Sequence, residues 1–319
     1  MKKLIFKLFA YFLILSSLCL GFGLFVIQGL PAQFQRSYQS AIVDQYDRFV
    51  QTTSPKIIFL AGSSGAFGLD IDRMEQALNI PITSLALHAG FGNRFPMELS
   101  KANIQSGDII VLAFEYQVYN DEDRFGSELV ATALDQRIDM YRALSFDDMV
   151  QVVRYFPKFL FKKVDSLMQN PDGVPAAGVY ARSAFNEHGN MIFRRPKCVL
   201  PNAPLSPESY TVSHLQASHI RQDAIDTLNA YISYAQERGA HVVVSFPPCL
   251  DELIVGSKAD IEGYQQALKE RLHAPVISNI FDYIYPREYI YDAAYHCTDE
   301  GTQKRTEQLI QDLKDYLEK

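Results

Sequence analysis

Short, continuously apolar runs alternate with amphipathic segments from residue 56 onward. Runs without polar alternation indicate strands that are buried on both faces, as in a parallel sheet covered by helices. The order strand, helix, strand therefore predicts an α/β fold. The predicted strands are 57–60, 82–87, 108–114, 241–246 and a short one at 275–277, and the predicted helices are 71–78, 94–104, 223–238, 261–272 and 300–317.

The N-terminus follows a different pattern. Residues 8–27 form a run of 20 residues without a charge, and Lys2, Lys3 and Lys7 precede it. Twenty helical residues span the ~30 Å hydrocarbon core of a bilayer, and the basic flank predicts a cytoplasmic N-terminus with an exported body. The alternative is a cleaved signal peptide, whose apolar region is shorter, at roughly 7–15 residues. The longer run favours an uncleaved anchor.

These patterns divide the chain into three parts. Residues 1–30 are predicted to form a cytoplasmic tip and transmembrane anchor, 31–55 a polar juxtamembrane stalk, and 56–319 one domain. Residues 119–220 interrupt the strand–helix alternation and are interpreted as an insertion or lid.

The insertion is locally basic. Between 151 and 200, eight Lys and Arg residues stand against three acids. Residues 149–168 predict an amphipathic basic helix that is kinked or split at Pro157. This helix is either an ordinary surface helix or a contact for lipid head groups or an anionic polymer.

Composition and charge exclude several classes. The chain has 319 residues, 48% hydrophobic and 21% charged, which is globular rather than disordered or fibrous. The net charge of −7 argues against a nucleic-acid-binding protein. No cysteine or histidine pair has zinc spacing, so no metal is predicted. Cys249 and Cys297 are candidates for one disulfide.

Candidate chemistry begins in the first predicted strand–helix turn, Gly-Ser-Ser-Gly at 62–65. A serine in such a turn is exposed beside outward-pointing backbone N–H groups, which suits a nucleophile with an oxyanion site, and Ser64 is the candidate. The glycines are equally compatible with a phosphate-binding turn. A dinucleotide site, however, needs an acid after the second strand, where His88 and its neighbours stand instead.

A second candidate group precedes the last predicted helix. Asp292 and His296 lie on one loop, four residues apart. A histidine can take the proton of a serine hydroxyl while an aspartate fixes its tautomer and stabilises the imidazolium. With Ser64, these residues predict a Ser–His–Asp triad in the chain order Ser, Asp, His.

At these positions the sequence resembles the SGNH/GDSL hydrolase superfamily. The similarity covers most of 56–118 and 240–318, with the blocks Phe-Leu-Ala-Gly-Ser-Ser at 59–64, Leu-His-Ala-Gly at 87–90 and the Asp–His loop. The resemblance implies a flavodoxin-like three-layer α/β/α sandwich with a parallel sheet.

The resemblance also implies roles for single residues. Ser64 inherits the nucleophile role, His296 that of base and then acid, and Asp292 that of the residue orienting the histidine. The backbone N–H groups of Ser64 and Gly90 would hold the oxyanion.

The sequence looks most like the membrane-anchored branch that modifies cell-envelope polymers. This branch includes the alginate O-acetylation proteins and the D-alanyl transfer protein of lipoteichoic acid synthesis. The implied function is a serine O-acyltransferase or esterase on an envelope polysaccharide, without a cofactor and beside a membrane-bound acyltransferase. The implied location is the bacterial inner membrane, with the C-terminal domain periplasmic or extracellular. The alternative is a non-catalytic polysaccharide-binding or scaffold subunit of a polymer modification or export complex on the same fold.

Two departures from the family pattern bear on the site. The Asp–His spacing is one residue longer than usual. The family's third block offers an asparagine as oxyanion donor, whereas Glu115 follows the third strand here, and an ionised carboxylate only accepts hydrogen bonds. Asn93 is the candidate replacement donor. Glu115 is interpreted as a supporting or capping acid, or as a ligand of substrate or of Arg94. Arg94 and Tyr116 are further candidates for substrate binding, Tyr116 as a pocket residue.

Overall fold

A parallel sheet forms the centre of the protein. The computed structural model describes residues 2–121, 125–205 and 210–318, so 122–124 and 206–209 of the predicted insertion lie outside the described residues. The strands are β1 (Ile57–Leu60), β2 (Ile82–Ser84), β3 (Ile109–Leu112), β4 (Ser213–His214), β5 (His241–Val244), β6 (Cys249–Leu250), β7 (Ile254–Val255) and β8 (Ile284–Tyr285). The main sheet has the order β2-β1-β3-β5, and β4 with β7 and β6 with β8 form two-stranded parallel pairs.

The predicted α/β class with a parallel sheet is confirmed. All four strands of the main sheet begin within one residue of their predicted starts, although β2 ends at Ser84, three residues early. The predicted short strand at 275–277 contributes one parallel bridge, from Val276 to Val244. It therefore continues the sheet beyond β5.

Alternate residues of each central strand enter two separate apolar cores. Ile58 and Leu60 of β1 belong to one core, whereas Ile57 and Phe59 belong to the other. Because side chains alternate across a strand, both faces of the sheet are covered. This explains why the strands read as continuous apolar runs.

Helices cover these two faces. Several begin at side-chain caps, among them Asp70, which accepts the N–H of Arg73, and Thr298, which accepts the N–H of Gly301. The helices are α1 (Lys2–Leu24), α2 (Ala41–Gln51), α3 (Ser63–Ala66), α4 (Ile71–Leu78), α5 (Arg94–Ser100), α6 (Gln117–Asn120), α7 (Ser127–Ala133), α8 (Phe146–Gln169), α9 (Gln222–Gln236), α10 (Lys258–Arg271) and α11 (Asp299–Leu317).

The N-terminal helix stands apart from the cores. Among the described residues, one helix is long and apolar enough to cross a membrane; it spans Lys2–Gly29 and includes a final π-helical turn, Phe25–Gly29. None of the side chains of α1 is buried in the protein. These are the properties expected of a membrane-spanning segment.

The predicted stalk is instead packed against the domain. Tyr38, Ile42 and Phe49 are all buried, and the Tyr38 hydroxyl donates to the carbonyl of Leu87 at 2.5 Å. The segment 31–55 looks polar because charged and amide residues are interspersed with its apolar ones. Ile42 and Phe49 lie on one face of α2, and that face completes the core.

The predicted insertion is helical in its first half. Its long helix, α8, begins three residues before the predicted start and continues to Gln169 through Pro157, so the predicted split does not occur. Proline removes one backbone N–H and leaves one carbonyl, that of Val153, without its helical partner. Both residues are exposed, and water can satisfy that carbonyl.

Candidate active site

A cavity of about 540 Å³ lies at the carboxyl edge of the sheet. In the main sheet β1 lies between β2 and β3, so the strand order reverses direction at β1. In open parallel sheets, ligands bind in the crevice at the carboxyl end of such a reversal. The residues lining this cavity follow three strands, precede α11 or belong to the insertion: Ser63, Ala89, Gly90, Gly92, Asn93, Glu115, Gln117, Val118, Asp121, Tyr210, Thr211, Asp292, Ala293, Ala294, Tyr295 and His296.

The predicted Asp–His pair is formed on the cavity wall. His296 Nδ1 lies 2.7 Å from Asp292 Oδ1, so the four-residue spacing is compatible with the relay geometry. His296 is 8% exposed. With Nδ1 engaged by the carboxylate, Nε2 is the nitrogen left for a reacting group.

Two aromatic residues hold the pair in place. The Tyr180 hydroxyl donates to Asp292 Oδ2 at 2.6 Å. The ring of Phe67 stacks on that of His296, with centroids 3.8 Å apart and planes at 9°. Burial by itself would raise the pKa of Asp292. The hydrogen bond and the charge of His296, together with the hydrogen bond from Tyr180, hold this pKa below its usual value. Asp292 is therefore ionised at neutral pH and fixes the imidazole.

The two serines of the turn occupy different environments. Ser64 is completely buried, its Oγ has no hydrogen-bond partner among the described residues, and it does not line the cavity. Ser63 lines the cavity and is partly exposed. This differs from the prediction, which assigned the nucleophile to Ser64.

The phase of α3 explains the difference. The N–H of Phe67 donates to the carbonyl of Ser63, so these residues stand one turn apart on the same face. Phe67 is the residue that stacks on His296, and Ser63 therefore faces the histidine side. The carbonyl of Ser64 instead accepts from the buried guanidinium of Arg305 in α11.

Both predicted backbone oxyanion donors are already engaged. The Ser64 N–H donates to Glu115 Oε1 at 2.8 Å, and the Gly90 N–H donates to His88 Nδ1 at 2.8 Å. Asn93 lines the cavity as predicted, and its buried Oδ1 has no partner among the described residues. Of the three predicted donors, only the Asn93 amide remains available.

Glu115 fits its predicted role as a supporting acid. Its carboxylate accepts from the N–H of Gly62 at 3.0 Å as well as from that of Ser64, so it holds the turn from the strand next to it. A Cβ on Gly62 would lie 2.8 Å from the Cα of Ala89, so glycine is required by this close approach of two backbone segments.

Two predicted substrate residues lie away from the cavity. Arg94 pairs with Asp148 at the start of α8, at 2.5 Å, rather than with Glu115. Tyr116 is fully buried and is absent from the cavity wall. The side chain of Tyr116 packs in the apolar core, whereas that of Glu115 reaches the turn between β1 and α3.

Sequence reasoning missed the support from the insertion. Tyr180 lies far from any motif, and Arg195 counts in the sequence only as one of several basic residues. Arg195 is 3% exposed, donates to the carbonyl of Phe67 at 2.9 Å and lies over the Phe67 ring. No local pattern marks these contacts, because they join segments more than 100 residues apart.

Two features away from the cavity bear on other predictions. Cys249 and Cys297 are both free and buried, and burial raises the pKa of the first thiol to about 12 and that of the second to about 11.

Ligand atoms of Asp72, Glu75 and His188 lie within 4.8 Å of one another. His188 already pairs with Asp72, and Glu75 is paired with an arginine.

The His88 contact predicts a pH effect. Burial lowers the pKa of His88, and the charge of His296 lowers it further. The unfolded chain then binds this proton more tightly than the folded protein does. The contribution of neutral His88 to stability is therefore full above the ordinary histidine pKa, about 6.5, and is lost as pH falls through the lowered pKa of the folded state. His88→Gln is expected to remove this loss in urea denaturation at a series of pH values. The exposed His273→Gln is the control, and equal pH dependence in both variants would contradict the prediction.

Comparison with known proteins gave no match to a family profile, to a curated protein or to a solved structure.

Proposed function

We propose that this protein is a membrane-anchored, extracytoplasmic serine O-acyltransferase or esterase that acts on a cell-envelope polysaccharide. The observation that carries the proposal is the hydrogen-bonded Asp292–His296 pair on the wall of the cavity that Ser63 also lines. The resemblance to SGNH/GDSL hydrolases and the helix long enough to span a membrane support it. The corresponding location is the bacterial inner membrane, with the domain on the outer side.

In the proposed reaction, Ser63 replaces Ser64 as the nucleophile. Ser63 Oγ attacks the acyl carbonyl while its proton passes to His296 Nε2, and the Asn93 amide donates to the resulting oxyanion. Collapse breaks the bond to the leaving group, which takes the proton from His296, and leaves the acyl group on Ser63. A sugar hydroxyl or water then gives its proton to His296 and attacks the acyl carbon. Collapse breaks the bond to Ser63 Oγ, which takes the proton back from His296. Asp292 orients the imidazole and stays ionised throughout.

The charge of the cavity limits the substrate. Glu115, Asp121 and Asp292 line it, and none of the described lining residues is a lysine or arginine. The resulting negative potential favours neutral or cationic acyl donors and acceptors over anionic ones. The reacting part of the polymer is accordingly an uncharged sugar or one that bears an amine.

Covalent labelling tests the activated serine. The full-length protein in detergent is incubated with a fluorophosphonate, and intact mass is measured. We expect one adduct in the wild type and none in His296→Ala, because the hydroxyl is a weak nucleophile without its base. An exposed histidine variant, His219→Ala, is the control and should label normally. Absence of an adduct from folded wild-type protein would count against the enzyme.

The engaged backbone donors favour one alternative, a non-catalytic polysaccharide-binding or scaffold subunit. Both Ser64 N–H and Gly90 N–H donate within the protein rather than into the cavity. Complementation in the native cell separates the two functions. A scaffold should tolerate Ser63→Ala and His296→Ala while substitutions in α8 abolish polymer modification, whereas an enzyme should fail with either active-site variant.

A further inference from the structure

The helix α8 presents an apolar face to solvent. At 100° per residue its exposed apolar positions fall within an arc of about 80°. Phe161 is 79% exposed and Met168 is 73% exposed, which is unusual for such large side chains. The members of this face are Phe146, Val153, Pro157, Phe161, Val164 and Met168.

The opposite face of α8 is attached to the end of the N-terminal helix. Lys163 is fully buried there and donates to the carbonyl of Ile27 at 2.9 Å and to Asp135 Oδ1 at 2.7 Å. Ile27 lies in the last turn of the apolar helix Lys2–Gly29. The position of α8 is thus fixed beside the point where the chain leaves the apolar segment.

The most exposed apolar side chains lie close to this attachment. Phe161, Val164 and Met168 are within five residues of Lys163, which is about 8 Å along the axis at 1.5 Å per residue. The exposed apolar face of α8 therefore lies near the end of α1, whose side chains are all unburied.

Charged side chains flank this face. Arg154, Lys158 and Lys162 project from one border of it together with Asp147 and Asp165, and all five are exposed. Lys162 pairs with Glu128 at 2.9 Å, so this border carries charges of both signs. An amphipathic helix with large apolar side chains on one face and a charged border is typical of a helix that lies in the interface of a bilayer. A bilayer surface matches this face and its position beside the end of α1.

We infer that α8 is an interfacial helix that inserts the side chains of Phe161, Val164 and Met168 into the outer leaflet of the membrane. This inference rests on the anchoring part of the proposed function. It gives the domain a second attachment beside α1, so the cavity holds a fixed orientation relative to the bilayer rather than rotating about a single helix.

Fluorescence quenching by brominated lipids tests this contact in the full-length protein. Phe161→Cys and Met168→Cys are made in a Cys19→Ser, Cys198→Ser background, labelled with an environment-sensitive fluorophore and reconstituted in vesicles of phosphatidylcholine and phosphatidylglycerol. Bromines near the head of the acyl chains should quench both positions. Lys258→Cys, whose native side chain is 79% exposed on α10, is the control and should retain its emission.

A label on the native Cys19 in α1 distinguishes failure of the interfacial helix from failure of the membrane anchor. Labelled in a Cys198→Ser background, it reports whether the anchor itself enters the bilayer. Quenching at Cys19 with water-like emission at 161 and 168 would overturn the interfacial helix and leave the anchor intact. Shielded emission at 161 and 168 without bromine quenching would assign the face to a protein partner and equally overturn the inference. No quenching at Cys19 would remove the anchor and this inference together.

Discussion

Ser63→Ala is expected to lower the rate of acyl-ester turnover by about 10⁴-fold or more, the loss typical of removing a member of a serine–histidine unit. Ser64→Ala is expected to change the rate little, because the Ser64 hydroxyl is buried, has no hydrogen-bond partner in the described part of the chain and lies off the cavity wall. Hydrolysis of nitrophenyl acetate by the full-length protein in detergent measures both effects.

The double variant Ser63→Ala/His296→Ala provides the internal control for that experiment. Residues that act as one unit are not additive, so the double variant should be no slower than either single variant. Loss of activity in Ser64→Ala together with retention in Ser63→Ala would contradict the assignment. The nucleophile would then be the serine that the sequence motif indicates, and the hydroxyl would have to reach His296 by a rearrangement of the turn.

Asp108→Ala is expected to destabilise the domain by about 3–5 kcal/mol, as when one partner of a buried ion pair is removed. Lys56 and Asp108 are both completely buried, and Lys56 Nζ lies 2.9 Å from Asp108 Oδ2. Asp108 also accepts from the N–H of Lys56 at 3.1 Å and from that of Gln105 at 2.9 Å. The variant leaves the buried ammonium without its counter-ion, with the Ser54 hydroxyl as its acceptor at 2.9 Å, and leaves the two N–H groups without their carboxylate. Urea denaturation followed by circular dichroism measures the change.

Two further variants give that measurement its reference points. Glu262→Ala breaks an exposed pair with Lys258, at 3.8 Å, and should change the free energy of unfolding by less than about 1 kcal/mol. Lys56→Met/Asp108→Leu removes both buried charges and should recover much of the loss. If Asp108→Ala is as stable as Glu262→Ala, the Ser54 hydroxyl is a sufficient partner for the Lys56 ammonium and the buried pair is not needed.

Much of the secondary structure follows from local patterns. β1 and α4 have the predicted bounds, and α11 begins one residue before its predicted start. Their apolar periodicity and caps report directly which side chains are buried. The packing of the stalk could not be predicted in this way. α2 is amphipathic, but a helical pattern does not show which surface its apolar face meets, and burial of that face depends on the core it completes.

The site divides in a similar way. The Asp–His loop could be predicted because both residues lie within one turn of chain before a helix. The pairing of Arg94 could not, since its partner Asp148 begins a helix more than 50 residues away. The same holds for Tyr180, whose hydroxyl reaches Asp292 across 112 residues.

By itself, the sequence determined the α/β class, the apolar N-terminal segment, the turn that carries the two serines, and the paired Asp292 and His296. These features depend on periodicity and spacing within short stretches of chain. Only the tertiary structure decided which serine faces the cavity and which backbone donors remain available. A helix of four residues is too short for periodicity to show which of its side chains face the core. The rotation of α3 about its axis is set by packing against Arg305 and His296. Likewise, the N–H of Ser64 is engaged by a carboxylate that lies 51 residues away in the chain.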